Sequence, residues 1–416
     1  MNSFKRIMIL VLIAATGSFL FASGQQDEGV VELTMMINFG ADTATAVAFE
    51  EVVNAFNNEY DGIEVTLIAG DANYEALMKS KMATNELPDV WSTHGWSVMR
   101  YSEYLLPLND QGWGDRLNPA IKPVITDSNG NFYVLPLDVD LAGVSYNKSV
   151  VKAAGVDIAD IRTWDDLFAA MKKIKAIGVT PVHIGGKDNW TIGNFFDWTA
   201  PAMYVTDPDN NSSDELLNGD FDTAKWEILA GLFKEMNEKG YMNVDNLTST
   251  FSDSARALAE GSAAFEFYGN YVLTEAWTYN PNAELGFFPV PAFYKSDSPS
   301  LISGERAAIG VWKDSEYPEE SMLLLNYFTR PENMTKISAS SAIPAGFSDV
   351  ESDTGKLKDD YSRWFGTPAF PYFDRAFLPS GMWDTMCSTG AGILSGDMTT
   401  ADAAAKMNED FNRMYK

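Results

Sequence analysis

The sequence predicts an α/β protein of two domains, and three observations carry that expectation. Strand-like and helix-like runs alternate along the first hundred residues, the pattern of βαβ units on a parallel sheet. Roughly 390 residues follow a leader-like segment, more than one hydrophobic core usually supports. Hydrophobic residues make up 46% of the chain, with 11 Trp, 17 Tyr and 25 Phe, enough to fill large cores.

Lys5 and Arg6 precede an apolar run from Ile7, which ends in the small residues Ala22 and Gly24 and then polar Gln25-Gln26-Asp27-Glu28. The run is too short to span a bilayer and reads as an export signal, residues 1–24, cleaved near Gly24–Gln25. A lipid anchor would need a cysteine directly after it, where Ser23-Gly24-Gln25 stand, so an unanchored periplasmic protein is expected. Cys387 is the only cysteine, which leaves no disulfide and reads as a small core residue.

Val30 to Ile37 forms the first strand-like run and ends at Asn38-Phe39-Gly40. Val47, Phe49, Val52, Val53 and Phe56 then recur at helical spacing. Ile63 to Ile68 alternates as a second strand, a helix is expected from Tyr74 to Thr84, and Leu87 to Trp91 reads as a third strand. Ligands of such sheets bind outside the carboxyl ends of the strands, which puts the loops holding Asn38–Asp42 and Thr93–Trp96 beside a site. A further α/β region runs from about Val144 to Tyr268. In it Thr163-Trp164-Asp165-Asp166-Leu167 has the form of a capped helix start. Leu285 to Pro291 and Ala307 to Trp312 return to strand character, the C-terminus is largely helical, and polar Asp207–Gly219 reads as a loop.

Composition excludes several function classes. A formal charge of −28 argues against nucleic acid or an anionic membrane surface as partner. His94 and His183 are far apart and outside any metal-ligand spacing, and no P-loop, G-x-G-x-x-G or G-x-S-x-G occurs. No metal or cofactor is therefore expected. Asp138 and Asp140 share one strand face, but glycosidase carboxylates usually come from different strands. The loop aromatics say more: Trp91, Trp96, Trp190, Trp198 and Trp383, with Tyr268, Tyr271 and Phe195, lie near glycines or polar residues. Aromatic faces stack on the C–H faces of sugar rings while carboxylates and amides bond the hydroxyls, so such a mixture points to carbohydrate.

An ordered series of motifs resembles the maltose-binding-like group of extracellular solute-binding proteins, the receptors of ABC sugar importers. Phe56 to Val65 resembles that group's helix-to-strand F-x-x-x-x-P-G-I-x-V, with Asp61 in place of Pro. Leu87-Pro88-Asp89-Val90 and Leu105-Leu106-Pro107-Leu108 resemble its PDV and LLPL pair. Gly130 to Pro136, Tyr146-Asn147-Lys148, Thr163 to Leu167, Ala257 to Ala264 with Gly269, Tyr327 to Glu332, and Ile343-Pro344-Ala345 follow in the group's order.

That resemblance implies the two-lobed type II periplasmic binding protein fold, with discontinuous lobes around a hinge. The N-terminal lobe would comprise 27–138 plus 272–329 and the C-terminal lobe 139–271 plus 330–416, with crossings near Asp138–Gly143, Tyr268–Ala276 and Thr329–Pro331. It implies a monomeric binding component, not an enzyme, that holds a sugar or oligosaccharide between the lobes and passes it to a membrane permease. Phe39, Thr93, His94 and Trp96 would line the first lobe and Asp138 or Asp140 the hinge. Asn194, Phe195, Trp198, Asn270, Tyr271, Arg306 and Trp383 would complete the ligand site. A polyol, a polyamine or another small solute is the alternative ligand, with phosphate disfavoured by the charge. An exported glycosidase would share the aromatics and carboxylates but would turn its sugar over.

Overall fold

The computed structural model describes residues 29–415 apart from 72 and 94–96, so the expected signal at residues 1–24 lies outside the described residues. The first part of the chain supplies strands β1 (Val31–Gly40), β2 (Ile63–Gly70), β3 (Val90–Ser92) and β4 (Leu135–Pro136). Next come β5 (Asp140–Ala142), β6 (Val144–Asn147), β7 (Thr180–Val182), β8 (Ala263–Glu266) and β9 (Leu285–Phe288). β10 (Leu301–Gly304), β11 (Ala308–Val311) and β12 (Ala369–Pro371) follow. They form three sheets, ordered β2-β1-β3-β11-β4, β7-β8-β6-β9 and β12-β10-β5.

The first sheet is the expected βαβ start. β1 runs parallel to β2 and β3, and its centre, Met35-Met36-Ile37, is buried on both faces, as a strand inside a parallel sheet should be. Between β1 and β2 the helix Ala44–Glu59 starts where Thr43 accepts a hydrogen bond from the Ala46 N–H. Its Phe49, Val52, Val53 and Phe56 pack into the first core. The capped start at Thr163 forms a full capping box with Asp166. The polar stretch expected as a loop at Asp207–Gly219 contains a short helix, Ser213–Leu217, held by buried Leu216.

Two large hydrophobic cores result, and they correct the expected lobe boundaries. The first gathers residues from Leu33 to Val139 and from Ala307 to Val350. The second gathers residues from Ala142 to Ile302 and from Tyr372 to Phe411. Thus β9, expected in the N-terminal lobe, pairs with β6 in the second sheet. Conversely the helix Pro331–Ala339, expected in the C-terminal lobe, buries Met334 and Ile337 in the first core. The chain passes between cores near 139–142, between Ile302 and Ala307, and beyond Val350. The physical reason is strand pairing: β5 and β10 hydrogen-bond antiparallel where the chain crosses, so the return falls at β10 rather than near Tyr268. Among the described residues no helix is long and apolar enough to cross a membrane.

Candidate functional site

A cavity of about 410 Å³ lies between the two cores. Its size falls in the usual range for small-ligand sites. The end of β1 brings Asn38, Phe39 and Gly40, followed by Thr43, and the first turn of the helix Tyr74–Thr84 brings Glu75. The crossing segments contribute Asp140 and Arg306. The opposite wall is formed by Trp190, Asn194, Asp197, Trp198, Tyr271, Tyr372, Asp374, Arg375 and Trp383.

The helix Trp190–Tyr204 builds the main wall. Residues 190, 194, 197 and 198 recur at helical spacing and therefore share one face. The other side of the helix carries Phe195 and Phe196 into the core, against Phe233 and Phe267. Two glycines let the wall's rings approach. Gly269 has φ +88° and a Cβ there would sit 2.9 Å from Trp198 and 3.1 Å from Tyr271, so only glycine suits the position. Gly193 likewise lies under Trp383, whose ring a Cβ would meet at 3.1 Å.

Polar groups are interleaved with these rings. Asp140 accepts a hydrogen bond from the Tyr372 hydroxyl through Oδ2, while its buried Oδ1 has no partner. Burial pushes the Asp140 carboxyl above its ordinary range, against the opposing pull of Tyr372, Arg306 and Arg375. Asp197 accepts the Asp374 N–H at 2.7 Å and is pushed up to about 7 by burial and by the Asp374 charge. The Asn194 amide donates to the Tyr271 hydroxyl at 3.1 Å, and the Trp198 indole N–H has no partner. Arg306 places its guanidinium 4.8 Å from the Phe39 ring and 5.7 Å from the Tyr271 ring, linking the walls, and donates to Ser341.

Of the residues expected in a site, Phe39, Asp140, Asn194, Trp198, Tyr271, Arg306 and Trp383 are brought together here. Four expectations need correction. Asp138 is wholly buried and its Oδ1 accepts the backbone N–H groups of Arg306 and Ala307, so it fastens the crossing segments instead. Asn270 is buried too, and its amide donates to the Leu141 carbonyl and the Tyr361 hydroxyl. Phe195 is a core residue for the helical reason just given. Thr93 is buried and outside the cleft lining, its N–H donating to the Ala308 carbonyl. His94 and Trp96 lie outside the described residues.

Sequence reasoning left out Glu75, Asp197, Tyr372, Asp374 and Arg375 and placed Trp190 only among loop aromatics. The helical spacing of 190, 194, 197 and 198 could have found Trp190 and Asp197. Nothing in the spacing of 372–375 marks those residues, which reach the cleft through the fold alone. Among the described residues no cluster of His, Cys, Asp and Glu is arranged to hold a metal ion. His183 lies outside the cleft lining, its Nδ1 2.8 Å from the Ser254 hydroxyl.

A family model of bacterial extracellular solute-binding proteins matches residues 40–335. The melibiose/raffinose/stachyose-binding protein MelE of Bacillus subtilis (strain 168) is 29% identical, the alignment covering 99% of this chain and 95% of MelE. Among solved structures, a Bacillus subtilis binding protein in an open conformation matches with a TM-score of 0.86 at 29% identity, over 93% of this chain and 98% of that one. A Bacillus licheniformis sugar transporter in complex with stachyose matches with a TM-score of 0.83 at 32% identity, over 92% and 100% of the two chains.

Proposed function

The chain belongs to the bacterial extracellular solute-binding protein family, and we propose that its solute is a neutral oligosaccharide of the raffinose–stachyose kind, taken up by an ABC importer. Members of this family bind solutes and are not enzymes. The observation that carries the proposal is the composition of the two facing walls. Trp190, Trp198, Tyr271, Tyr372 and Trp383 alternate with Asp140, Asn194 and Asp197 on one cavity, opposite Phe39 and Glu75. Rings of that kind cover the apolar faces of pyranosides, while the carboxylates accept from their hydroxyls. Unpartnered Asp140 Oδ1 and Trp198 Nε1 offer one acceptor and one donor to such a ligand. The names of MelE and of the stachyose-bound relative support the same ligand class.

Binding would do the mechanical work. A sugar touching both walls gains its full set of contacts only when the lobes close, so it shifts the open–closed equilibrium. In this reading the lobes are the two cores, hinged where β5 and β10 cross. The protein acts as a monomer, exported through the leader at 1–24 into a periplasm without a lipid anchor, and hands its sugar to a membrane permease. A thermal-shift screen of melibiose, raffinose, stachyose, a polyol, a polyamine and glycerol phosphate tests the ligand class. A sugar at about 100 times its dissociation constant should add about 2.7 kcal/mol of stability. A shift with the polyamine or the phosphate and none with any sugar would remove the proposal.

A further inference from the structure

Glu75 is absent from every expectation raised by the sequence, yet it is the carboxylate that the first core extends into the cleft. It stands in the first turn of the helix Tyr74–Thr84, where the chain returns from β2. Its Oε2 accepts a hydrogen bond of 2.7 Å from the Tyr101 hydroxyl. Tyr101 is itself fixed, with its ring 4.9 Å from that of buried Trp91 in an edge-to-face contact. One carboxylate oxygen is therefore anchored to the core. The other, Oε1, is shut away from bulk water and has no partner. An unpaired buried carboxylate oxygen costs more than a surface one, because nothing replaces the water it has lost. Facing a cleft, such an oxygen is free to accept a hydrogen bond from a ligand donor.

We propose that Glu75 is the first core's hydroxyl-reading residue: Oε1 accepts from one hydroxyl of the bound sugar, and Tyr101 positions it by holding Oε2. The inference rests on the sugar-binding reading above and adds which residue selects the ligand from the first wall. Selection follows from chemistry. An ionised carboxylate only accepts, so it favours a sugar with a hydroxyl at that point and disfavours one with a carboxylate or phosphate there. Charges around Glu75 suit that role. Burial raises the Glu75 carboxyl above its ordinary range, opposed by the Tyr101 hydrogen bond and by the charges of Arg100 on its own core and Arg375 on the opposite wall. With Glu75 opposite the carboxylates and aromatic rings of the second wall, the sugar is gripped from both cores, the arrangement that closure requires.

The test is calorimetric titration of raffinose into wild type, Glu75→Gln, Glu75→Ala and Tyr101→Phe. Melting of each ligand-free variant checks its fold. A hydrogen bond to a charged group is worth roughly a ten- to hundredfold change in affinity, and both Glu75 variants should lose about that much with their ligand-free melting little changed. Tyr101→Phe, which keeps the ring, should lose less. Monodeoxy raffinoses supply a readout that a structural role would not move. The hydroxyl that Glu75 reads should cost wild type the same factor when deleted, and cost Glu75→Gln almost nothing further. Wild-type affinity in both Glu75 variants, or additive losses for every deoxy sugar, would overturn the assignment alone. A wild-type protein that binds no sugar would overturn it together with the reading it rests on.

Discussion

Arg100 Nη2 lies 3.0 Å from Asp374 Oδ2, and this ion pair joins the two cores across the cleft. Arg100 belongs to the segment that leads into Tyr101 of the first core, and Asp374 to the helix Phe373–Phe377 packed in the second. The side chains are 11% and 0% exposed, so the pair is largely removed from water. Removing one partner of a buried pair costs about 3–5 kcal/mol, chiefly by stranding the other charge. With the lobes hinged as proposed, parting them would let Asp374 meet water, so the cost should fall on closure rather than on folding. Arg100→Met should therefore lower raffinose affinity by tenfold or more and enlarge the ligand-free radius of gyration in small-angle scattering. Unchanged affinity and unchanged scattering would show that the pair does not hold the lobes together.

The two faces of the helix Trp190–Tyr204 give a paired prediction. Phe195 is wholly buried among the rings of Trp164, Phe233 and Phe267, and Phe195→Ala should cost about 3–5 kcal/mol of stability. Its effect on sugar affinity at a temperature where the variant is folded should be small. Asn194→Ala should do the reverse, since its amide faces the cleft and bonds Tyr271. Chemical denaturation and titration of both variants separate the two effects.

Gly193 should be as sensitive as any residue that touches ligand. A Cβ at this position would lie 2.6 Å from Cys387 Sγ and 3.1 Å from the Trp383 ring. Gly193→Ala should displace Trp383 and weaken sugar binding while costing about 1–3 kcal/mol of stability through overpacking. Trp383→Ala should weaken binding more and leave the core intact. Equal affinities in wild type and both variants would remove Trp383 from the ligand site.

Glu266 on β8 carries a pH prediction. It is wholly buried, neither oxygen has a hydrogen-bond partner, and burial alone pushes its carboxyl well above the ordinary range. The native state therefore keeps a proton that the unfolded chain releases near pH 4.3. Below that pH both states are protonated and no ionisation penalty remains. As pH rises from there towards the raised native value, the unfolded state binds fewer protons and stability falls. Glu266→Gln removes that contribution. Its melting temperature should exceed that of wild type at pH 7, and the gap should close as pH is lowered towards 4.5. A gap that is constant over this range would mean that Glu266 is ionised in the folded protein.

Much of the fold was legible because it rests on local signals. The β1–helix–β2 start follows from alternation and helical spacing, and the Thr163 helix start from its capping residue; the structure adds the Thr43 cap and the full capping box. Lobe membership was not legible, because β9 and the helix Pro331–Ala339 are assigned by pairing and packing with segments far away in sequence. The same division holds for the site. Trp198, Tyr271 and Trp383 could be suspected from aromatics beside small or polar residues. Asp138 and Asp140 could not be told apart, since only the backbone donors of Arg306 and Ala307 turn one into a fastener. Nothing in the sequence marks Glu75 or Asp374, which only the fold brings to the cleft.

The central claim, that a neutral oligosaccharide is bound between the two cores without being altered, is tested most directly by calorimetric titration of raffinose with the sugar recovered and analysed afterwards. The expected result is saturable binding at one sugar per chain, abolished or greatly weakened in Trp383→Ala, with all the raffinose recovered intact. No heat of binding with raffinose or stachyose, or recovery of cleaved sugar, would contradict it.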